Sequence, residues 1–187
     1  MAVQPEAVVI GASAGAVEAL SVILPALPKD FSLPVIAVVH IPPDRPSVMA
    51  DLFQAKCRLP VREAEDKEPL AGGTIYFAPP DYHLLIEADK SLSLSSDEPV
   101  FFSRPSIDVL FESAADAYGP ALIAIVLTGA NSDGAKGLYA VVEAGGTAIV
   151  QDPDDAYAAA MPAAAIHMCP GAHVMPLQAI AAFLRGV

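Results

Sequence analysis

Cysteine is scarce: Cys57 and Cys169 are the whole supply, and they do not form a CxxC pair. A disulfide framework is therefore excluded, and free thiols in a reducing cytoplasm are the expectation. Basic residues are few as well, 10 Lys and Arg against 22 Asp and Glu, for a net charge of −12. Such a field repels phosphate backbones and anionic lipid, which excludes nucleic-acid binding as the main function. Long apolar runs are also missing. The most apolar stretch, PALIAIVLTGA at 120–130, has the length of one buried strand, well short of the roughly 20 residues of a membrane span. No basic-then-apolar leader opens the chain, so the expectation is a cytoplasmic protein without membrane insertion. What is present is a 187-residue chain that is 54% hydrophobic, enough for one domain, 1–187, with a full core.

Strand and helix patterns alternate along it. Strands are expected at 6–12, 34–40, 60–65, 73–79, 83–89, 91–96, 121–128 and 146–151, and helices at 14–26, 47–57, 106–119, 134–144 and 177–186. The helix at 106–119 opens on Ser106, a good N-cap, and closes on Gly119. This alternation predicts an α/β fold: a doubly wound, mostly parallel sheet with helices on both faces. The β-rich middle, with a hairpin turn at ADKS, is expected as an antiparallel addition to one edge of the sheet.

In such folds ligands bind where loops leave the carboxyl ends of the strands. Three polar residues stand there: Ser13 after the first strand, His40 after the second, and Asp133 after the strand at 121–128. A hydroxyl, an imidazole and a carboxylate on one rim have the composition of a nucleophile, base and orienter. Ser13 also has plainer readings. It suits the N-cap of the following helix. A dinucleotide loop fits poorly, because G-x-G-x-x-G would need glycine where Ser13 and Ala16 stand, and an acidic residue where the second strand ends in His40. GASAG at 11–15 matches the G-x-S-x-G elbow of α/β-hydrolases, but that elbow follows several strands and its partners come in the order Ser, Asp, His.

Seven segments occur in order: VVIGASAG, VVHIPP, EAEDKEPLAGGTIYFAPPDYHL, SRPSIDVLF, LTGANSDGAKGL, EAGGTAIVQD and MPAAA. Together they resemble the catalytic domain of the CheB-type chemotaxis protein-glutamate methylesterases, over nearly the whole chain. The resemblance implies a Ser-His-Asp hydrolase acting on glutamate γ-methyl esters, and deamidating glutamines, on the cytoplasmic helices of chemoreceptors. Carried over by position, Ser13 is the nucleophile, His40 the general base and Asp133 the orienter. The backbone N–H groups of Ala14 and Ala130 sit where the family forms its oxyanion hole. Neither a metal nor an organic cofactor is implied. The chain departs from the family pattern at Ala16, where a second glycine is usual, and in Ala130-Asn131-Ser132-Asp133-Gly134, where Met-Gly-x-Asp-Gly is usual. Asn131 is expected to stand in for that glycine through its tolerance of left-handed backbone. With about seven residues before the first strand, a stand-alone member without a receiver domain is the expectation.

Other chemistry-bearing residues are weaker candidates. Arg104 could bind substrate by steering an acidic receptor segment, or pair with Asp108 at the helix start. His167, Cys169 and His173 lack a fourth ligand for zinc and read as helix-end and surface residues. Asp152, Asp154 and Asp155 read as a solvated loop and a helix start, and His83 as a structural residue opening a strand. A second function class stays open beside the esterase: a catalytically weak module that keeps the fold and serves as a scaffold in a signalling complex.

Overall fold

A computed structural model describes residues Met1–Val187. Strands β1 (Ala7–Ala12), β2 (Val35–Val39), β3 (Val61–Glu63), β4 (Ile75–Phe77), β7 (Leu122–Val126), β8 (Thr147–Gln151) and β9 (His173–Met175) form one sheet in the order β3-β4-β2-β1-β7-β8-β9. Every pairing in it is parallel. β1, β2 and β7 are buried at every position, which is why they read as unbroken apolar runs rather than alternating ones. Their side chains alternate between two cores. Ala7 and Val9 face one side with Leu110, Phe111 and Leu138, while Val8 and Ile10 face the other with Leu20, Phe53 and Leu184.

Helices α1 (Ala16–Ile23), α2 (Met49–Gln54) and α6 (Leu177–Arg185) cover the second face. Helices α3 (Ile107–Tyr118), α4 (Ala135–Glu143) and α5 (Ala160–Met168) cover the first. The doubly wound architecture is therefore as expected. The middle segment differs in placement. β4 lies inside the parallel sheet, and only β5 (His83–Ile86) and β6 (Leu92–Ser95) form an antiparallel pair. That hairpin is a separate two-stranded sheet, not an extension of the edge. Its apolar face, Leu84, Ile86 and Leu92, is buried in the same core as Leu110 and Phe111 of α3. Burial on α3 and backbone hydrogen bonds to the 67–70 segment hold it, not pairing with the main sheet.

The chain runs outward from β1 to β2 and on to the edge strand β3, steps back to β4 between them, then crosses to β7 on the other side of β1. The loops after β1 and β7 diverge at this switch point, which is where a doubly wound sheet opens its crevice. Gly11 on β1 lets α3 reach it: a Cβ there would lie 2.3 Å from Ile107 Cγ2. The start of α3 is thereby pressed against the strand that delivers Ser13. No helix is long and apolar enough to cross a membrane.

Candidate active site

Each of the three rim residues is brought in by a strand end. Ser13 follows β1, and its N–H donates to Thr128 O (2.9 Å) beyond β7. His40 follows β2, and its N–H donates to Ala12 O (3.2 Å), which sets the imidazole beside Ser13. Asp133 sits in the loop between β7 and α4, wholly buried. The side chains form one hydrogen-bonded chain: Ser13 Oγ is 3.1 Å from His40 Nδ1, and His40 Nε2 is 2.7 Å from Asp133 Oδ2. An ionised carboxylate can only accept, so Asp133 keeps the imidazole proton on Nε2 and leaves the Nδ1 lone pair facing the serine hydroxyl.

Ser13 does not cap α1 with its side chain. Gly15 holds the N-cap position, and the hydroxyl is left for His40. Ser106 does not cap α3 with its side chain either. Its Oγ–H donates to Asp133 Oδ1 (2.9 Å), and the Asp133 carboxylate accepts the N–H groups of Ile107 (2.7 Å) and Asp108 (2.9 Å). The rim carboxylate is thus the cap of α3, supplied from another loop. With His40 it accepts four donors in all, two on each oxygen. Burial alone raises a carboxyl's pKa. Here the hydrogen bond from His40 and the N–H groups of Asp108 and Ile107 outweigh it and hold Asp133 below its usual value.

The capping is mutual. Asp108, in the first turn of α3, accepts the N–H groups of Gly134 (2.9 Å) and Gly137 (2.7 Å) at the start of α4. A Cβ on Gly137 would lie 2.6 Å from Phe111 Cβ, so this close crossing needs glycine. Asp108 is almost fully buried and belongs to this lock, not to the pair with Arg104 considered from the sequence. Burial first, with the Asp133 and Glu112 charges adding, pushes its carboxyl up to about 6 against the two N–H groups. The native carboxyl therefore takes up a proton between about pH 4 and 6 that the unfolded chain has released. Its contribution to stability falls as pH rises through that window. Asp108→Asn keeps an acceptor oxygen and removes the buried charge. We expect it to be more stable than the parent at pH 8, by on the order of 1–3 kcal/mol, and so to melt higher, with the gap closing near pH 4. Melting curves across pH 4–8 check this; a gap independent of pH would refute it.

Thr128 is a second residue that sequence reasoning missed. Its Oγ1–H donates to Ala14 O (2.8 Å) and its N–H to Gln151 Oε1 (2.9 Å), which pins the loop after Ser13 to β8. The N–H groups of Ala14 and Ala130 donate to no acceptor in the protein. Asn131 does not use left-handed backbone; its side-chain oxygen accepts the Asp133 N–H (3.0 Å) and closes the loop that way. His83 is buried, with Nε2 on Glu98 O (2.9 Å) and Nδ1 accepting the Ser106 N–H (3.1 Å). It holds the start of α3 from the hairpin side.

Arg104 lies at the rim, but its guanidinium is heavily engaged. Nε and Nη2 donate to Asp81 Oδ1 (3.2 and 2.7 Å), and Nη1 donates to Ser96 O and Asp97 O (2.9 and 3.1 Å). Of its five N–H donors, these bonds leave one on Nη2. Asp155 accepts the N–H of Leu177 at the start of α6 and a Gln151 amide. His167 and His173 are exposed and Cys169 buried. No group of three or more His, Cys, Asp or Glu is placed to hold a metal ion.

Two clefts flank the imidazole. One, of about 320 Å³, runs from His40 past Pro42 and Pro43 to Phe102 and Pro105. The other, of about 360 Å³, holds Ser13, Val17, Arg45 and Met49. Ser13 is therefore reachable along a groove.

Residues 8–184 match the family model of the CheB methylesterases. A Leptospira interrogans relative, named for protein-glutamate methylesterase and protein-glutamine glutaminase activity, is 49% identical over 176 residues. That match takes in 94% of this chain and 91% of the relative. A Rhodospirillum rubrum relative of the same name is 37% identical over 97% of this chain, which spans about half of that protein (48%). The crystal structure of the Thermotoga maritima CheB methylesterase catalytic domain superposes with a TM-score of 0.93 at 35% identity, over 98% of this chain and 99% of that one. With the family model matched across nearly the whole length, the chain belongs to the CheB methylesterase family.

Proposed function

We propose that residues 1–187 act as one cytoplasmic catalytic domain. Its reaction is hydrolysis of glutamate γ-methyl esters, and deamidation of glutamine side chains, on the cytoplasmic helices of chemoreceptors. The observation that carries this reading is the unbroken Ser13–His40–Asp133 chain, 3.1 and 2.7 Å. His40 Nδ1 takes the Ser13 proton as Oγ attacks the side-chain carbonyl, while Asp133 steadies the imidazolium through Nε2. The oxyanion that forms meets the unengaged N–H groups of Ala14 and Ala130, worth about 3–4 kcal/mol each in such sites. Imidazolium Nδ1–H then protonates the departing methoxide oxygen, which leaves as methanol, or the amide nitrogen, which leaves as ammonia. Water, deprotonated by the same nitrogen, releases the acid and restores Ser13. Ser13, His40 and Asp133 are the catalytic residues of this reading. Arg104, with two bonds to its own loop and two to Asp81 on the β4–β5 loop, supports the rim rather than steering an acidic segment.

The test has two parts. Incubation with a chemoreceptor fragment carrying labelled methyl esters is expected to release labelled methanol. A serine-directed fluorophosphonate is expected to add one equivalent by intact mass, mapped to Ser13. No methanol and no adduct would favour the scaffold reading instead.

A further inference from the structure

The loop from β6 to α3 makes a sharp excursion over the rim. Val100 N–H donates to Ser103 O (3.0 Å) and Ser103 N–H to Val100 O (2.8 Å), so Phe101 and Phe102 alone form the turn. Both lie in left-handed backbone, φ +48° and +61°. A two-residue turn of this kind ordinarily takes Asn-Gly, because bulky side chains are strained there. Here it carries two phenylalanines, and neither ring repays the strain by burial: Phe101 is 53% exposed and Phe102 fully so. Strain without a packing return marks a functional position.

The surroundings say what the rings face. Phe102 lines the cleft that ends at His40, together with Pro42, Pro43, Pro99 and Pro105. The one guanidinium there, Arg104, is bonded to Asp81 and to the Ser96 and Asp97 carbonyls at the foot of the turn. It braces the turn instead of offering charge. Beside Ser103 and the paired Asp81 and Arg104, the cleft presents the Phe102 ring, Ile41 and four prolines on a chain of net charge −12, and its continuity with His40 makes the substrate its occupant.

We propose that the Phe101–Phe102 turn is a specificity element that docks apolar side chains of the substrate protein beside the target glutamyl group. The inference rests on the esterase reading above. The turn touches no reacting atom, so it acts on substrate affinity. A substrate too small to span from Ser13 to the turn does not feel it.

The experiment uses Phe101→Asn/Phe102→Gly, which installs the residues this turn prefers, so the variant should melt no lower than the parent. Both proteins are assayed on a methylated chemoreceptor fragment and on p-nitrophenyl acetate, with elution volumes compared by size-exclusion chromatography. The expected result is a kcat/KM on the receptor fragment reduced at least tenfold, carried in KM, with p-nitrophenyl acetate hydrolysis within twofold of the parent. Unchanged kcat/KM on the fragment would overturn the inference alone. So would an equal loss on both substrates, which would mean a disturbed His40, or a parent dimer that the variant dissociates, which would assign the turn to self-association. A parent active on p-nitrophenyl acetate but inert on the fragment would overturn the functional reading and the inference with it.

Discussion

Ser13→Ala is expected to lower turnover on a methylated receptor fragment by about 10⁴-fold or more, the scale on which hydrolases of this kind lose activity with their nucleophile. The same variant should keep its stability within about 1 kcal/mol of the parent's, the worth of one hydroxyl hydrogen bond. The reason for the split is local. The backbone bonds of residue 13, its N–H to Thr128 O and its C=O to the Ala16 N–H, survive the substitution. The hydroxyl's one side-chain partner is His40, and it caps no helix. Stopped-flow or radiolabel assays beside a melting curve check both halves. Retained turnover would move the nucleophile to another hydroxyl lining the clefts, Ser47 or Ser103.

Asp133→Asn should behave differently, with turnover reduced about 10⁴-fold and stability reduced as well. Each carboxylate oxygen accepts two donors, so an amide group fails in either orientation. With its nitrogen toward His40, the ring must put its proton on Nδ1, where it cannot receive one from Ser13, and the Ile107 N–H loses its acceptor. With its nitrogen toward Ser106, that hydroxyl can turn to accept, but the Asp108 N–H is orphaned. Either way the imidazolium loses its counter-charge, and one buried N–H is left unpaired at about 1–3 kcal/mol. The held-down pKa of Asp133 fixes the sign of the pH effect. Its ionised form contributes stability above its unfolded value of about 4, lost as pH falls through the lower native value. The gap between parent and variant should therefore be widest near neutrality and shrink on acidification. Equal melting temperatures at pH 7 would remove Asp133 from the cap of α3.

The rim residues were legible because each follows a run that had to be a buried strand. A polar side chain right after VVIGA or PVIAVV, or a few residues after LIAIVLT, has few places to go but the carboxyl edge of the sheet. The hairpin's strands were legible for the same reason, but not its partner. Alternation of apolar residues at Leu84, Ile86 and Leu92 says that one face is buried; it does not say that a helix buries it. Helix α5 escaped because Ala160–Met168 carries Pro162 and little polar patterning, and β9 because it is three residues long with two exposed. Asp108 was misassigned for a physical reason. An acidic residue in a first turn interacts favourably with its own helix dipole. Nothing local indicates that its acceptors serve a helix start 26 residues away.

The exchange of caps between α3 and α4 ties the fate of the fold to that of the chemistry, and it does so unequally across the three rim residues. A lineage under no selection for hydrolysis can discard the Ser13 hydroxyl at little structural expense. It cannot discard the Asp133 carboxylate so freely, because α3 would lose the start that Ile107 and Asp108 share with it. Decay of the activity by drift should therefore begin at the serine and spare the aspartate. Descendants that have become inert should still carry the acid, where it records architecture and not catalysis.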